Sequence, residues 1–157
     1  NKIKEKFLND YEKAKNNKLD NWQNNPQDCL ALIILLDQFS RNLFRDNSQA
    51  FATDRKARHI ANKAFDKGYL KNYSLNEIHF MILPLMHSEN ISDHDYWKKL
   101  SNMYLKEHPN YKTIKEFADR HYYIINKFGR YPHRNLALGR ISTKEEIEFL
   151  KKPNSSF

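Results

Sequence analysis

The chain has 157 residues, enough for one domain with a real core and too few for two comfortable ones. A content of 39% hydrophobic and 13% aromatic residues excludes disorder, and only three glycines argue against a many-turned β architecture. The net charge of +8 raises nucleic acid as a partner, yet lysines such as Lys2, Lys4, Lys6, Lys13 and Lys15 are spaced as a solvated helix surface.

Residues 1 to 18 read as an amphipathic helix with Ile3, Phe7, Tyr11 and Ala14 on one side. Pro26 suits the first turn of a second helix running to about Phe44, whose apolar run Cys29 to Leu36 makes it the buried one. No apolar run approaches the length of a membrane span, no signal-peptide pattern opens the chain, and Cys29 is expected to be an inert core residue. With one cysteine there is neither an internal disulfide nor a Cys-rich metal site, so the expected setting is the cytoplasm.

A third helix is predicted from about Phe51 to Lys67, with Thr53 or Asp54 in its first turn and Gly68 as its stop. Ser74-Leu75-Asn76-Glu77 is a capping-box pattern for a fourth, which Pro84 should kink or end before about His87. A fifth covers roughly Asp93 to His108. The sixth, Tyr111 to Phe128, directs Ile114, Phe117, His121, Ile124, Ile125 and Phe128 to one side and stops at Gly129. Ser142-Thr143-Lys144-Glu145 is a second capping-box pattern, opening a short last helix. The expectation is an all-α fold of six or seven antiparallel helices stacked as hairpins.

Three polar clusters could carry chemistry. At the end of the buried helix, Asp37, Arg41 and Arg45 follow one another at i, i+4 and i+8, with Gln38 and Asn42 beside them. His87 and Glu89 lie just past Pro84 and could act as base or acid. The third is NKFGRYPHRNLALGR, Asn126 to Arg140, in which Arg130, His133, Arg134, Asn135 and Arg140 surround a glycine-capped helix end and a proline turn. Arginine favours planar, bidentate binding of phosphate or carboxylate, but the same side chains could equally tie helix ends together. A metal at His87 and Glu89 would require further ligands such as His121 and His133; no metal or cofactor is expected.

In this order, LDQFSRNLFR (Leu36 to Arg45), AFATD (Ala50 to Asp54), LPLMHSE (Leu83 to Glu89), FGRYPHRNLALGRISTKEEIEFL (Phe128 to Leu150) and PNSSF (Pro153 to Phe157) resemble a bacterial family, domain of unknown function 924. The resemblance implies a single TPR-like helical domain over residues 1–157, and a chain starting at Asn1 that lacks a short N-terminal segment. It departs from the family at Ser40, where proline is usual. It implies no established activity, and TPR-like architecture most often serves binding.

The leading expectation is a pocket for a small anionic ligand, with Arg41, Arg45, Arg130 and Arg134 holding charge and Asp37 and Glu89 orienting them. Gln38, Asn42, His87, His121, His133, Asn135 and Arg140 complete the candidate set. One alternative is a hydrolase or transferase using His87 or His133 with Glu89. The other is a protein- or RNA-binding scaffold, in which the arginines are saturated by carboxylates and helix-end carbonyls. Nucleic acid is the weaker partner, because no run interleaves aromatic and basic residues.

Overall fold

The computed structural model describes residues 2–157, except the side chains of Ile3 and Lys4; Ile3's expected place on the apolar face lies outside that description. Among the described residues every regular element is helical. Helix α1 (Lys2–Lys15) buries Tyr11 and Ala14 completely and stacks Phe7 on Phe39, ring centroids 4.4 Å apart. Helix α2 (Pro26–Ile33) starts where Asn25 accepts the Asp28 N–H and Pro26 supplies a ready-made helical φ.

The helix expected from Pro26 to Phe44 is present but not uniform. A π-helical turn (Ile34–Phe39) interrupts it before α3 (Ser40–Leu43). Such a turn accommodates an extra residue and rotates everything after it, so the i, i+4, i+8 stripe of a regular helix does not persist. Asp37 and Arg41 still meet, whereas Arg45 lies beyond the helix end, exposed. At Ser40 the path continues to Leu43, and the Ser40 hydroxyl donates to the Asp37 carbonyl at 3.1 Å.

Phe51 ends a 3-10 turn (Ser48–Phe51) rather than opening the next helix, α4 (Asp54–Asp66). Thr53 makes no side-chain cap there. Its hydroxyl donates to the Leu36 carbonyl at 2.6 Å, pinning the start of α4 to the π turn. Gly68 follows α4 with φ of +75°, a left-handed conformation that costs glycine little. In α5 (Leu75–Met86) the Ser74–Glu77 capping box forms in both directions, and the helix runs only two residues past Pro84. Helices α6 (Ile91–Tyr104) and α7 (Tyr111–Phe128) follow, and Gly129, φ +69°, closes α7 by donating its N–H to the Ile125 carbonyl.

The last helix, α8 (Lys144–Leu150), is one residue out of the expected register: Thr143 is the N-cap and Glu146 completes the box. Helix α5 is central, packed against α2, α4, α6 and α7. The main core joins Leu32, Ile33 and Leu36 to Ile60, Met81, Ile82, Leu85 and Leu105. Cys29 is buried in it, its thiol pushed up to about 11 by burial, hence unreactive at neutral pH. A smaller core of Ile124, Ile125 and Tyr131, flanked by Phe128 and Phe149, docks the turn after α7 and helix α8. Phe117, expected on the apolar side of α7, is instead 43% exposed.

Candidate functional site

Asp37 is 1% exposed in the middle of the π turn, yet its carboxylate is fully engaged. Oδ1 lies 2.7 Å from His87 Nδ1, Oδ2 accepts from Gln38 Nε2 at 2.6 Å, and the carbonyl accepts from Arg41 Nη1 at 2.8 Å. Burial alone would raise its pKa; the charge and hydrogen bond of His87, then Arg41 and Gln38, outweigh burial and bring it down to about 2. Asp37 is therefore ionised and can only accept, so the proton of a neutral His87 sits on Nδ1 and Nε2 carries the lone pair. Nε2 has no hydrogen-bond partner among the described residues.

Arg41 adds a two-pronged pair to Asp54, at 2.9 and 3.0 Å. Arg134, 7% exposed, is sandwiched between the Phe51 and Tyr131 rings, 4.6 and 4.5 Å from their centroids. It donates to the His87 carbonyl at 2.9 Å and to Asp54 at 3.4 Å, while its Nε is buried without a partner. One carboxylate, Asp54, thus aligns two guanidiniums drawn from positions 41 and 134.

The remaining expected cations are spent elsewhere. Arg140 forks onto Glu89 at 2.7 and 2.9 Å and donates through Nε to Asn135 Oδ1. Glu89 also accepts the Tyr131 N–H at 2.8 Å; its pKa is lowered because these bonds outweigh its burial. Arg130 forks onto Glu146 at 2.7 and 2.8 Å and reaches the Ile141 carbonyl. Asn135 donates to Ser142 and Glu146, and the Arg130 hydrogen bond, against some burial cost, brings Glu146 down to about 2. Arg130, Arg140, Asn135 and Glu89 accordingly fasten the 129–143 turn to the α5–α6 connection and to α8. Arg130 is thus paired with Glu146 and Glu89 with Arg140, off the cavity, while the carboxylate on His87 is Asp37.

A cavity of about 540 Å³ lies on the other side of this frame. Arg41, Arg45, Arg134, His87, His121 and His133 line it, with Asn42, Asp46, Phe51, Tyr131 and Phe157. Asp37 and Asp54 stand behind the arginines and do not line it. Gln38 opens instead onto a neighbouring cavity of about 360 Å³ that shares Arg41, His87, His121 and Phe157. Arg45 sits at the rim with no ion pair among the described residues.

His121 stacks on Phe157 at 3.7 Å and holds the Phe117 carbonyl through Nδ1. Burial, partly opposed by that hydrogen bond, pushes its pKa down to about 3. Burial, and after it Arg134, pushes His133 down to about 4, and its Nδ1 is buried with no partner. Both rings are neutral at pH 7. Among the described residues no three His, Cys, Asp or Glu side chains are grouped to hold a metal.

Sequence reasoning missed the parts played by Asp54, Phe51, Tyr131 and Phe157. Asp54 carried a signal, standing in AFATD, one of the segments that resemble the family, beside a helix start, but nothing in its spacing names Arg41 and Arg134 as its partners.

Fold and cavity together define an all-helical domain with an arginine- and histidine-lined cavity, two of whose three arginines, Arg41 and Arg134, are held by carboxylates from behind. The chain belongs to the bacterial family of proteins of unknown function DUF924, whose model matches residues 1–154. It is similar to a solved structure, that of the protein of unknown function ATU0120 from Agrobacterium tumefaciens. The two are 34% identical, with a TM-score of 0.83, over 94% of this chain and 81% of that one. No curated protein matches the chain. No helix among the described residues is long and apolar enough to cross a membrane.

Proposed function

We propose that the cavity binds a small oxyanion, the phosphate or carboxylate of a cytoplasmic metabolite. The observation that carries this reading is the placement of charge. Three arginines line the cavity against one acidic side chain, Asp46, because Asp37 and Asp54 sit behind the guanidiniums they pair with. Counted with those two carboxylates the cluster is balanced, three against three, so a buried anion finds near cations and remote anions rather than a bare excess of charge.

Pairing also fixes the guanidiniums in one pose before a ligand arrives, which reduces the ordering cost of binding. The sandwich of Arg134 between two rings serves the same end. The aromatic walls Phe51, Tyr131 and Phe157 would cover the apolar part of a metabolite. The arginines used up by Glu89 and Glu146 match the scaffold reading, and they are the ones that lie off the cavity.

The test is calorimetry and thermal melting with phosphate, sulfate and benzoate. Wild type should bind at least one of them. Arg45→Ala, which removes an exposed and unpaired rim cation, should weaken binding by about tenfold or more at unchanged stability, since a charge-assisted hydrogen bond contributes about 1.5–3 kcal/mol. If none of the three anions binds, the reading is wrong.

A further inference from the structure

Among the described residues, His87 is the one histidine with a ring nitrogen on a carboxylate. His94 and His121 rest on backbone carbonyls, Ser88 and Phe117, and His108 uses both nitrogens, on the Asn76 side chain and the Asn110 N–H. What sets His87 apart is the carboxylate on Nδ1, which ties the π turn to the end of α5; His121, on a backbone carbonyl, also lines the cavity with its second nitrogen uncommitted. His87 leaves Nε2 there. Its partner is expensive to maintain: an ionised carboxylate 1% exposed, in a π-helical turn, a deformation frequent at functional sites. A buried carboxylate on Nδ1 holds imidazole in the tautomer whose Nε2 accepts a proton and stabilises the imidazolium that results.

We propose that Asp37 and His87 form the proton-accepting pair of a hydrolytic site acting on a small carboxylic ester that carries a separate anionic group. The proposal rests on the anion-binding reading above: Arg45 and Arg134 hold the anionic group, which leaves the ester beside His87. A water on Nε2 attacks the ester carbonyl carbon. As the new C–O bond forms, its proton passes to Nε2 and the carbonyl π electrons move onto oxygen. The tetrahedral intermediate collapses with cleavage of the ester C–O bond, and the imidazolium returns the proton to the departing oxygen. Ester and water become acid and alcohol, with nothing oxidised or reduced. Asp37 never takes the proton; it is a positioning residue, and His87 is the catalytic one.

The probes are 4-acetoxybenzoate, an anionic ester, and its neutral methyl ester, with hydroxybenzoate release followed by absorbance and sulfate binding followed by melting temperature. Wild type should hydrolyse the anionic ester faster than buffer and prefer it to the neutral one. His87→Gln should lower kcat/KM by roughly 10²–10⁴-fold while sulfate still raises the melting temperature, which also verifies that the variant folds. Asp37→Asn should lower kcat with little change in KM. Arg45→Ala should raise KM, and His59→Gln, exposed on α4, should change nothing. Sulfate binding without ester hydrolysis, or hydrolysis that survives His87→Gln, overturns this inference alone. Failure of sulfate, phosphate and benzoate to bind overturns the anion-site reading beneath it.

Discussion

Asp54 is the residue on which most of the cavity's geometry converges. Its Oδ1 takes one prong of Arg41, while Oδ2 takes the other and an N–H of Arg134. Removing its charge would leave two largely buried guanidiniums short of a partner, and breaking such a pair costs about 3–5 kcal/mol when fully buried. Asp54 keeps a side-chain exposure of 19%, so water recovers part of that loss. Asp54→Asn should therefore destabilise by about 2–3 kcal/mol in a urea melt, just below the buried-pair range. It should also loosen Arg41 and Arg134 and so weaken sulfate binding beyond what Arg45→Ala does. A stability loss with unchanged sulfate affinity would show that the two arginines do not need Asp54 to face the cavity.

Helix α8 shows how an element's register is settled from outside it. The run Ser142-Thr143-Lys144-Glu145-Glu146 contains two overlapping capping boxes, Ser142 with Glu145 and Thr143 with Glu146. Local sequence cannot choose between them. Arg130 and Asn135 choose, because both reach Glu146, and Ser142 is left to accept from Asn135. Thr143→Ala should cost about 1 kcal/mol, the ordinary loss of an N-cap. Glu146→Gln should cost more, about 2 kcal/mol, since it weakens a charge-assisted fork as well as the cap; equal losses in a denaturant melt would mean that the fork to Arg130 adds nothing. Helix ends set by strong local chemistry were legible in the sequence: Pro26, Ser74, Gly68 and Gly129 all sit where proline, serine and glycine preferences put them. The π turn was not, because Ile34 to Phe39 carries the same apolar periodicity as a regular helix and differs from one only in how the packed chain seats Asp37.

Across the whole molecule, the ion pairs that separate frame from cavity join positions 13 to 80 residues apart, which is why the sequence offered thirteen candidates and could not sort them. The same tertiary packing makes stability depend on acid. His121 and His133 stay neutral in the fold, down to about 3 and about 4, whereas an unfolded histidine takes a proton near 6.5. The folded pKa is the lower one, so their contribution is intact above about pH 6.5 and is lost as pH falls towards those folded values. Asp37 and Glu146, both brought to about 2, add a second loss of the same sign that begins only near pH 4. The melting temperature should be flat above pH 7 and decline from about 6.5 downward; His121→Phe, which keeps a ring against Phe157, should flatten the upper part of that decline. On the anion-binding proposal, binding is linked to protons through the ring that shares the cavity with Arg134. Arg134 helps to depress His133, and an oxyanion placed between them would offset that effect and raise His133 again. The bound state thus holds its proton more tightly than the free state, so binding takes up protons and strengthens as pH falls. Sulfate tests this cleanly, because its own charge does not change between pH 5 and 8. Its affinity should rise from pH 8 to pH 5, with proton uptake in paired-buffer calorimetry, and His133→Asn should reduce that dependence while leaving binding at pH 8. An affinity that is flat with pH in wild type, or a dependence unchanged in His133→Asn, would place the sulfate away from His133.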